Sequence, residues 1–254
     1  MRVSAVSYLN TWPLVWGFLK GPVSSDQSES YDFRFDLPAQ CADALSSGEV
    51  DLGLVPCAEL DRLGMGFLPG LGIACDGPVR SILLVSKKPF GQIATLAADS
   101  SSRTSVALTR ILLAERFGCT PRITRQSPRL EEMLVAHDAA LIIGDPALRI
   151  DPSTLPFETL DLGADWVEWS GLPMVFAVWA GRTEALGPDI VRAFRGSYEW
   201  GRGHTEEIVA RAVAERGFPA DRARAYVTRN IVYELGPRHL AGLELFRKKV
   251  RDLE

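Results

Sequence analysis

Apolar stretches of strand length alternate with amphipathic stretches of helix length along this chain, and the alternation runs twice. A βα order of that kind restricts a chain to layered α/β architectures, with helices packed over mainly parallel strands. Arg2 to Ser7 alternates toward a strand. Thr11-Trp12-Pro13 then offers an N-cap and a proline in the first turn of a helix ending near Leu19. Asn10 sits at that strand-to-helix joint. Residues 21–30, rich in serine, glycine and charge, read as a surface loop, Tyr31 to Leu37 as a second strand, and Pro38 to Leu45 as a helix closed by Ser47-Gly48. Asp51 to Val55 is a third strand, Cys57 to Arg62 a helical turn, and Arg80 to Ser86 a strongly apolar strand.

Lys87-Lys88-Pro89-Phe90-Gly91 is a polar crossing, and beyond it the alternation restarts. Strands are expected at Thr95 to Ala98, Pro121 to Arg125 and Ala139 to Gly144, and helices at Ser102 to Phe117, closed by Gly118, and Arg129 to Ala136. Val175 to Trp179 is a further strand and Gly181-Arg182-Thr183 a return crossing. From Pro188 the chain is helical in three or four segments punctuated by glycine and proline. The expected division is therefore residues 1–87 plus 182–254 as one lobe, completed by the C-terminal helices, and 88–181 as the other, with a ligand cleft between them. No internal repeat is evident in the residues.

At 254 residues, with 46% hydrophobic and 24% charged, the chain can bury a full core. A net charge of −4 leaves no basic surplus to neutralise a phosphate backbone, so nucleic acid is not an expected partner. Cys41, Cys57, Cys75 and Cys119 are widely separated, with no CxxC pair and no nearby histidine. They read as buried thiols in a reducing compartment, not as a metal or redox site. The N-terminal apolar run is broken by Asn10 and Pro13 where a signal peptide would continue, and no stretch reaches the ~20 apolar residues of a membrane span. The expectation is a cytoplasmic protein without a membrane partner; no motif specifies an oligomeric state.

The segment Asp99-Ser100-Ser101-Ser102-Arg103-Thr104-Ser105 joins a strand to an amphipathic helix. Free backbone N–H groups and the helix dipole favour an anion there, and Ser102, Thr104 and Ser105 add hydroxyl donors suited to a carboxylate. One serine would suffice for a cap; three hydroxyls and an arginine exceed that need. Gly144 and Asp145 end a buried strand, where the ligand crevice of an open α/β sheet lies, and Asp145 either faces a ligand or caps the next helix. Asn10 occupies the equivalent end of the first strand, where its amide either binds a ligand or serves as a cap. His137, His204 and His239 have no partner of catalytic spacing and read as surface residues. The tryptophans of Trp12 to Trp16 and Trp166 to Trp169 read mostly as packing residues, with walling of the cleft as the alternative for some. No GxSxG, Walker, GxGxxG or HExxH motif is present, and no metal or organic cofactor is expected.

Ser7-Tyr8-Leu9-Asn10-Thr11-Trp12-Pro13, Ser101-Ser102-Arg103-Thr104-Ser105, Ile143-Gly144-Asp145 and Trp169-Ser170-Gly171-Leu172-Pro173-Met174-Val175-Phe176-Ala177 occur in this order. Together they resemble the chorismate dehydratase family of the futalosine route to menaquinone. The resemblance implies a type II periplasmic-binding-protein-like fold working in the cytoplasm, and a hydro-lyase that takes chorismate to 3-(1-carboxyvinyloxy)benzoate without a cofactor. It implies Asn10 as a catalytic residue and Ser81, Ser102, Thr104, Ser105, Gly144 and Asp145 as substrate-binding residues. Ser81 rests on the resemblance alone. The base is either the substrate's own enolpyruvyl carboxylate, oriented by Asn10, or Asp145. Two other readings stand beside this one: the sister dihydroxynaphthoate synthase, whose N-terminal motif differs, and a non-catalytic binding or sensing protein for a small carboxylate.

Overall fold

The computed structural model describes residues 1–21 and 31–253, so the expected loop over 21–30 lies, except for Gly21, outside the described residues. The strands are β1 (Arg2–Val6), β2 (Asp32–Asp36), β3 (Leu52–Pro56), β4 (Gly66–Cys75), β5 (Ile82–Ser86), β6 (Thr95–Asp99), β7 (Arg122–Gln126), β8 (Ala139–Ile143), β9 (Glu158–Asp161), β10 (Met174–Gly181) and β11 (Val232–Glu234). The helices are α1 (Trp12–Lys20), α2 (Pro38–Ser47), α3 (Leu60–Leu63), α4 (Thr104–Glu115), α5 (Leu130–Ala136), α6 (Gly144–Arg149), α7 (Leu162–Ser170), α8 (Pro188–Gly203), α9 (Thr205–Arg216), α10 (Ala220–Ala225) and α11 (Pro237–Arg251). Among the described residues no helix is long and apolar enough to cross a membrane.

The chain divides into two compact units, Met1–Ala74 with Phe176–Gly236, and Cys75–Val175 with Pro237–Glu254. The first holds a six-stranded sheet in the order β11-β4-β10-β3-β1-β2, with β1 parallel to β2 and β3 and β10 antiparallel to β3. Its strand β3 is buried at every position, as a strand covered on both faces must be. Helix α1 lies against α8 at backbone contact: a Cβ on Gly17 would stand 2.4 Å from Ser197 Cα, and one on Gly201 would stand 2.2 Å from Pro13 O. Ser197 closes the same junction, donating its Oγ–H to Leu14 O at 2.9 Å while its Oγ accepts Phe18 N–H at 3.2 Å.

The second unit holds a five-stranded sheet in the order β7-β6-β8-β5-β9, with β6 parallel to β7 and β8 and β5 antiparallel to β8 and β9. Leu83, Val85, Ala97, Met133, Leu134, Ala140, Ile142 and Ala147 form one of its buried apolar clusters. The two units share a topology: β1-β2-β3 and β6-β7-β8 each place the first strand between the other two. That repeat lies in the connectivity, and the residues themselves do not show it.

The division differs from the expected one at three places. Strand β5 pairs with β8 and β9, so it belongs to the second sheet, and residues 87–91 connect two strands of that sheet. The return falls at Val175–Phe176, inside β10, not at 181–183. Helix α11 joins the second unit, where Gly242 admits the carbonyl of Pro173, Phe246 packs edge-on to Trp166 at 6.0 Å, and Lys249 pairs with Glu115 at 2.6 Å. The histidines are also more enclosed than a surface placement implies. His137 is buried with Nδ1 3.1 Å from Met133 O, His204 stacks on Trp200 at 4.0 Å, and half-buried His239 has its pKa lowered by desolvation. The Cys41, Cys57 and Cys75 thiols are buried and Cys119 half-buried, and none of the four is in a disulfide; burial pushes Cys41 and Cys75 up to about 12, which keeps them protonated and poorly nucleophilic.

Candidate functional site

In open α/β sheets ligands collect beyond the carboxyl ends of the strands, at the point where the strand order reverses. In each unit that point follows the central strand of the parallel triplet, β1 in the first and β6 in the second. Asn10 follows β1, and Ser102, Thr104 and Ser105 follow β6, while Ser81, Gly144 and Asp145 lie at the adjoining ends of β5 and β8.

In the first unit β1 ends at Val6 and the chain enters a single tight turn, Leu9–Thr11, before α1. Asn10 lies in that turn and is 9% exposed. The capping position of α1 is held by Thr11, and no side chain makes a cap hydrogen bond there. Asn10 is therefore not the cap of α1. Its Oδ1 and the neighbouring Thr11 Oγ1 are buried without a hydrogen-bond partner. Buried polar atoms are almost always satisfied, and each exception calls for an explanation.

In the second unit three strands bring their site residues to one end of the sheet. Asp99, the last residue of β6, is fully buried. Its Oδ1 accepts the Ser101 N–H at 2.9 Å and the Ser101 Oγ–H at 2.7 Å, while Oδ2 has no partner. Burial pushes the carboxyl above its ordinary value, opposed by the two Ser101 donors and, more weakly, by the nearby Ile143 backbone. The spacing Asp-x-Ser is that of an Asx turn, so Asp99 sets the path of the loop leading to α4. It is the residue the sequence reading passed over, although it opens the segment that carries the hydroxyls.

Ser102, Thr104 and Ser105 are all buried at the start of α4. Ser102 Oγ accepts the Ser105 N–H at 3.1 Å, so this hydroxyl satisfies one N–H of the first turn of α4 from the position before its Arg103 cap. The first turn of α4 holds no acidic side chain, leaving the positive end of a 12-residue helix uncompensated by its own residues. Arg103 beside them is half-buried.

Ser81 and Gly144 are joined directly, Gly144 N–H donating to Ser81 O at 2.7 Å where β5 and β8 lie side by side. Gly144 has φ 63°, a backbone conformation that costs other residues more than glycine, and this turns the chain from β8 into α6. Asp145 follows in the first turn of α6 and is 9% exposed. The capping position belongs to Ile143, so Asp145 is not an N-cap. Arg80, next to Ser81, is the one non-glycine with positive φ among the described residues, at 64°. Both oxygens of Asp161 hold it there, accepting Val79 N–H at 3.0 Å and Arg80 N–H at 2.7 Å, while the same carboxylate caps α7 through Gly163 and Ala164. Ser81, Ser102, Thr104, Ser105, Gly144 and Asp145 thus share one end of one sheet, and Asn10 stands at the corresponding end of the other. Among the described residues no group of three or more His, Cys, Asp or Glu side chains could hold a metal ion.

Comparison with known proteins gives this arrangement its context. The family model described as menaquinone biosynthesis matches residues 1–252. The chorismate dehydratase of Thermus thermophilus is 37% identical over 208 residues, covering 74% of this chain and 75% of that protein. A crystal structure of a protein from Archaeoglobus fulgidus superposes with a TM-score of 0.80 at 16% identity, covering 99% of this chain and 97% of that one. The periplasmic aliphatic sulphonate binding protein of Escherichia coli gives 0.67 at 15% identity, with 100% and 87% covered. At such low identity these two structures speak to the fold alone, which is that of the periplasmic binding proteins. The chain therefore belongs to the menaquinone-biosynthesis family, to which the chorismate dehydratases also belong.

Proposed function

We propose that this protein is a chorismate dehydratase, a carbon–oxygen lyase of the cytoplasm that removes one water from chorismate to give 3-(1-carboxyvinyloxy)benzoate. The observation that carries the reading is the amide oxygen of Asn10, buried without a partner just beyond the central parallel strand. An amide can donate to a carboxylate and accept from a hydroxyl at once, and rotation about its last torsion exchanges the two ends. Chorismate carries two carboxylates and a ring hydroxyl, and the hydroxyls at the start of α4 are suited to a carboxylate.

The proton to be lost sits on the ring carbon that bears the enolpyruvyl ether. As it leaves, the electron pair delocalises through the ring double bond into the ring carboxylate. Thr104, Ser105 and the N-terminal dipole of α4 stabilise that charge, and Ser102 holds the helix start in shape. Expulsion of the neighbouring hydroxyl then completes an aromatic ring, and the abstracted proton leaves with it as water. The base is the substrate's own enolpyruvyl carboxylate, oriented by Asn10, so that the protein supplies mainly geometry. Asp145 is the competing base.

Incubating purified protein with chorismate, and following product mass and the ultraviolet spectrum, tests the reaction. Loss of one water with an aromatic chromophore is expected; tight binding without turnover would make the protein a carboxylate sensor instead. Asp145→Asn separates the two bases, since near-normal turnover removes Asp145 as base. An Asn10→Ala variant with unchanged turnover would remove the orienting role.

A further inference from the structure

One of the C-terminal helices reaches back to the turn that carries Asn10. Arg216, the last residue of α9, donates from its guanidinium to Ser7 O at 2.7 Å. The same guanidinium lies 4.4 Å from the centroid of the Trp12 ring. Ser7 precedes Asn10 by three residues and Trp12 follows it by two, so one half-buried side chain clamps both ends of the segment. Arg211, one turn earlier on α9, adds a second cation 5.0 Å from the Trp12 centroid and is itself held by Glu215 at 2.7 Å. The turn Leu9–Thr11 meets the π-helical segment Tyr226–Asn230 on another side. Wide helical turns of that kind are rare and recur at functional sites.

The hydrogen bond fixes the exit of β1, and the stacked cation fixes the first residue of α1. A planar guanidinium does both at once; an ammonium is a point charge with no flat face to lay on the indole. From this geometry we infer that Arg216 is a positioning residue for the dehydration, holding the Ser7–Trp12 segment so that the Asn10 amide meets the substrate at its working angle. The inference rests on the role proposed above for Asn10.

The test is a double-mutant cycle of Arg216→Gln and Asn10→Ala, with kcat and KM for chorismate and a thermal melt measured for each protein. Arg216→Gln is expected to lower kcat by about 10- to 100-fold, the scale on which a displaced catalytic geometry costs rate, with KM changed less than about threefold. In the Asn10→Ala background the same change is expected to cost nothing further, because the group it positions is gone. Arg216→Lys, which keeps the charge and one donor, is expected to recover part of kcat, and it serves in the cycle if the glutamine variant does not fold. An equal loss of kcat in both backgrounds would mean that Arg216 supports only the fold, and the positioning role would be overturned while that of Asn10 stood. A silent Asn10→Ala would remove the role of Asn10 and the inference with it.

Discussion

Gly17→Ala is the substitution whose effect follows most directly from the coordinates. Gly17 lies inside α1, where alanine would ordinarily favour the helix by ~1 kcal/mol. The new methyl would stand 2.4 Å from Ser197 Cα and 3.0 Å from both Ser197 Cβ and Ser197 O. Carbon atoms rest at roughly 3.5–4.0 Å, so α1 and α8 must move apart by more than about 1 Å. Overpacking of this kind costs ~1–3 kcal/mol. The displacement also strains the two hydrogen bonds of Ser197, each contributing on the order of 1 kcal/mol. With the helix preference set against these costs, a net loss of about 2–3 kcal/mol is expected, or a Tm lower by roughly 5–10 °C for a chain of this size. Turnover should fall as well, because α1 starts two residues after Asn10. Far-ultraviolet circular dichroism on heating measures the first effect, and chorismate turnover well below Tm the second. Gly203→Ala is the control, since a Cβ there meets nothing within 4 Å. A Gly17→Ala protein melting at or above the parent temperature would refute the close-contact argument.

Other expectations follow from single contacts. Burial raises the Asp99 carboxyl in the folded state, so the stability linked to it is present below the unfolded value near ~4 and is lost as pH rises through its higher folded value. Urea unfolding at pH 4.5 and pH 8 should therefore favour Asp99→Asn over the parent more at the higher pH; a difference running the other way contradicts the assignment. Arg80→Gly relieves a left-handed backbone at φ 64° and should stabilise by about 0.5–1 kcal/mol after the added flexibility of the unfolded chain is counted, read as a higher urea midpoint. Ser102→Ala removes the acceptor of Ser105 N–H and should cost about 1 kcal/mol. A raised KM for chorismate in the same protein would tie the helix start to the substrate.

Local patterning was enough to locate the elements that carry the candidate site. Period-two strands at Arg2–Val6 and Thr95–Asp99, a proline-started helix at Trp12, and a buried run at Ala139–Ile143 all stand within a few residues of their expected places. Strand β4 went unread, because Pro69 and the glycines at 66, 70 and 72 look like a loop. Gly72 is needed there for a reason only the packed sheet reveals: a Cβ would stand 2.6 Å from Ala177 O. The sheet to which β5 belongs was also illegible, since strand partners are chosen by tertiary pairing and an apolar run fits either core. The same holds for α11, whose buried Gly242, Leu243 and Phe246 could cover any apolar surface until Pro173 and Trp166 are seen beneath them. Among the candidate residues the hydroxyls of 102–105 and the Asn10 amide stand out in sequence by residue type. Asp99 was not, because a buried carboxylate that organises a loop looks in sequence like any acid at the end of a strand.

The junction between α1 and the late helices has a consequence for how the protein comes into being. Ser197 bonds Leu14 and Phe18, Gly201 admits Pro13, and Arg216 reaches Ser7, so the segment around Asn10 is held by residues about two hundred positions later in the chain. Contacts that distant in sequence form slowly and only after the intervening chain exists. During synthesis the second unit's sheet, complete by Asp161, can assemble while Asn10 has emerged first and still lacks its support. The amide that the ribosome makes almost at the outset is among the last groups to be fixed in place, and a chain cut short before Arg216 would lack the guanidinium that holds Ser7 and Trp12 on either side of it.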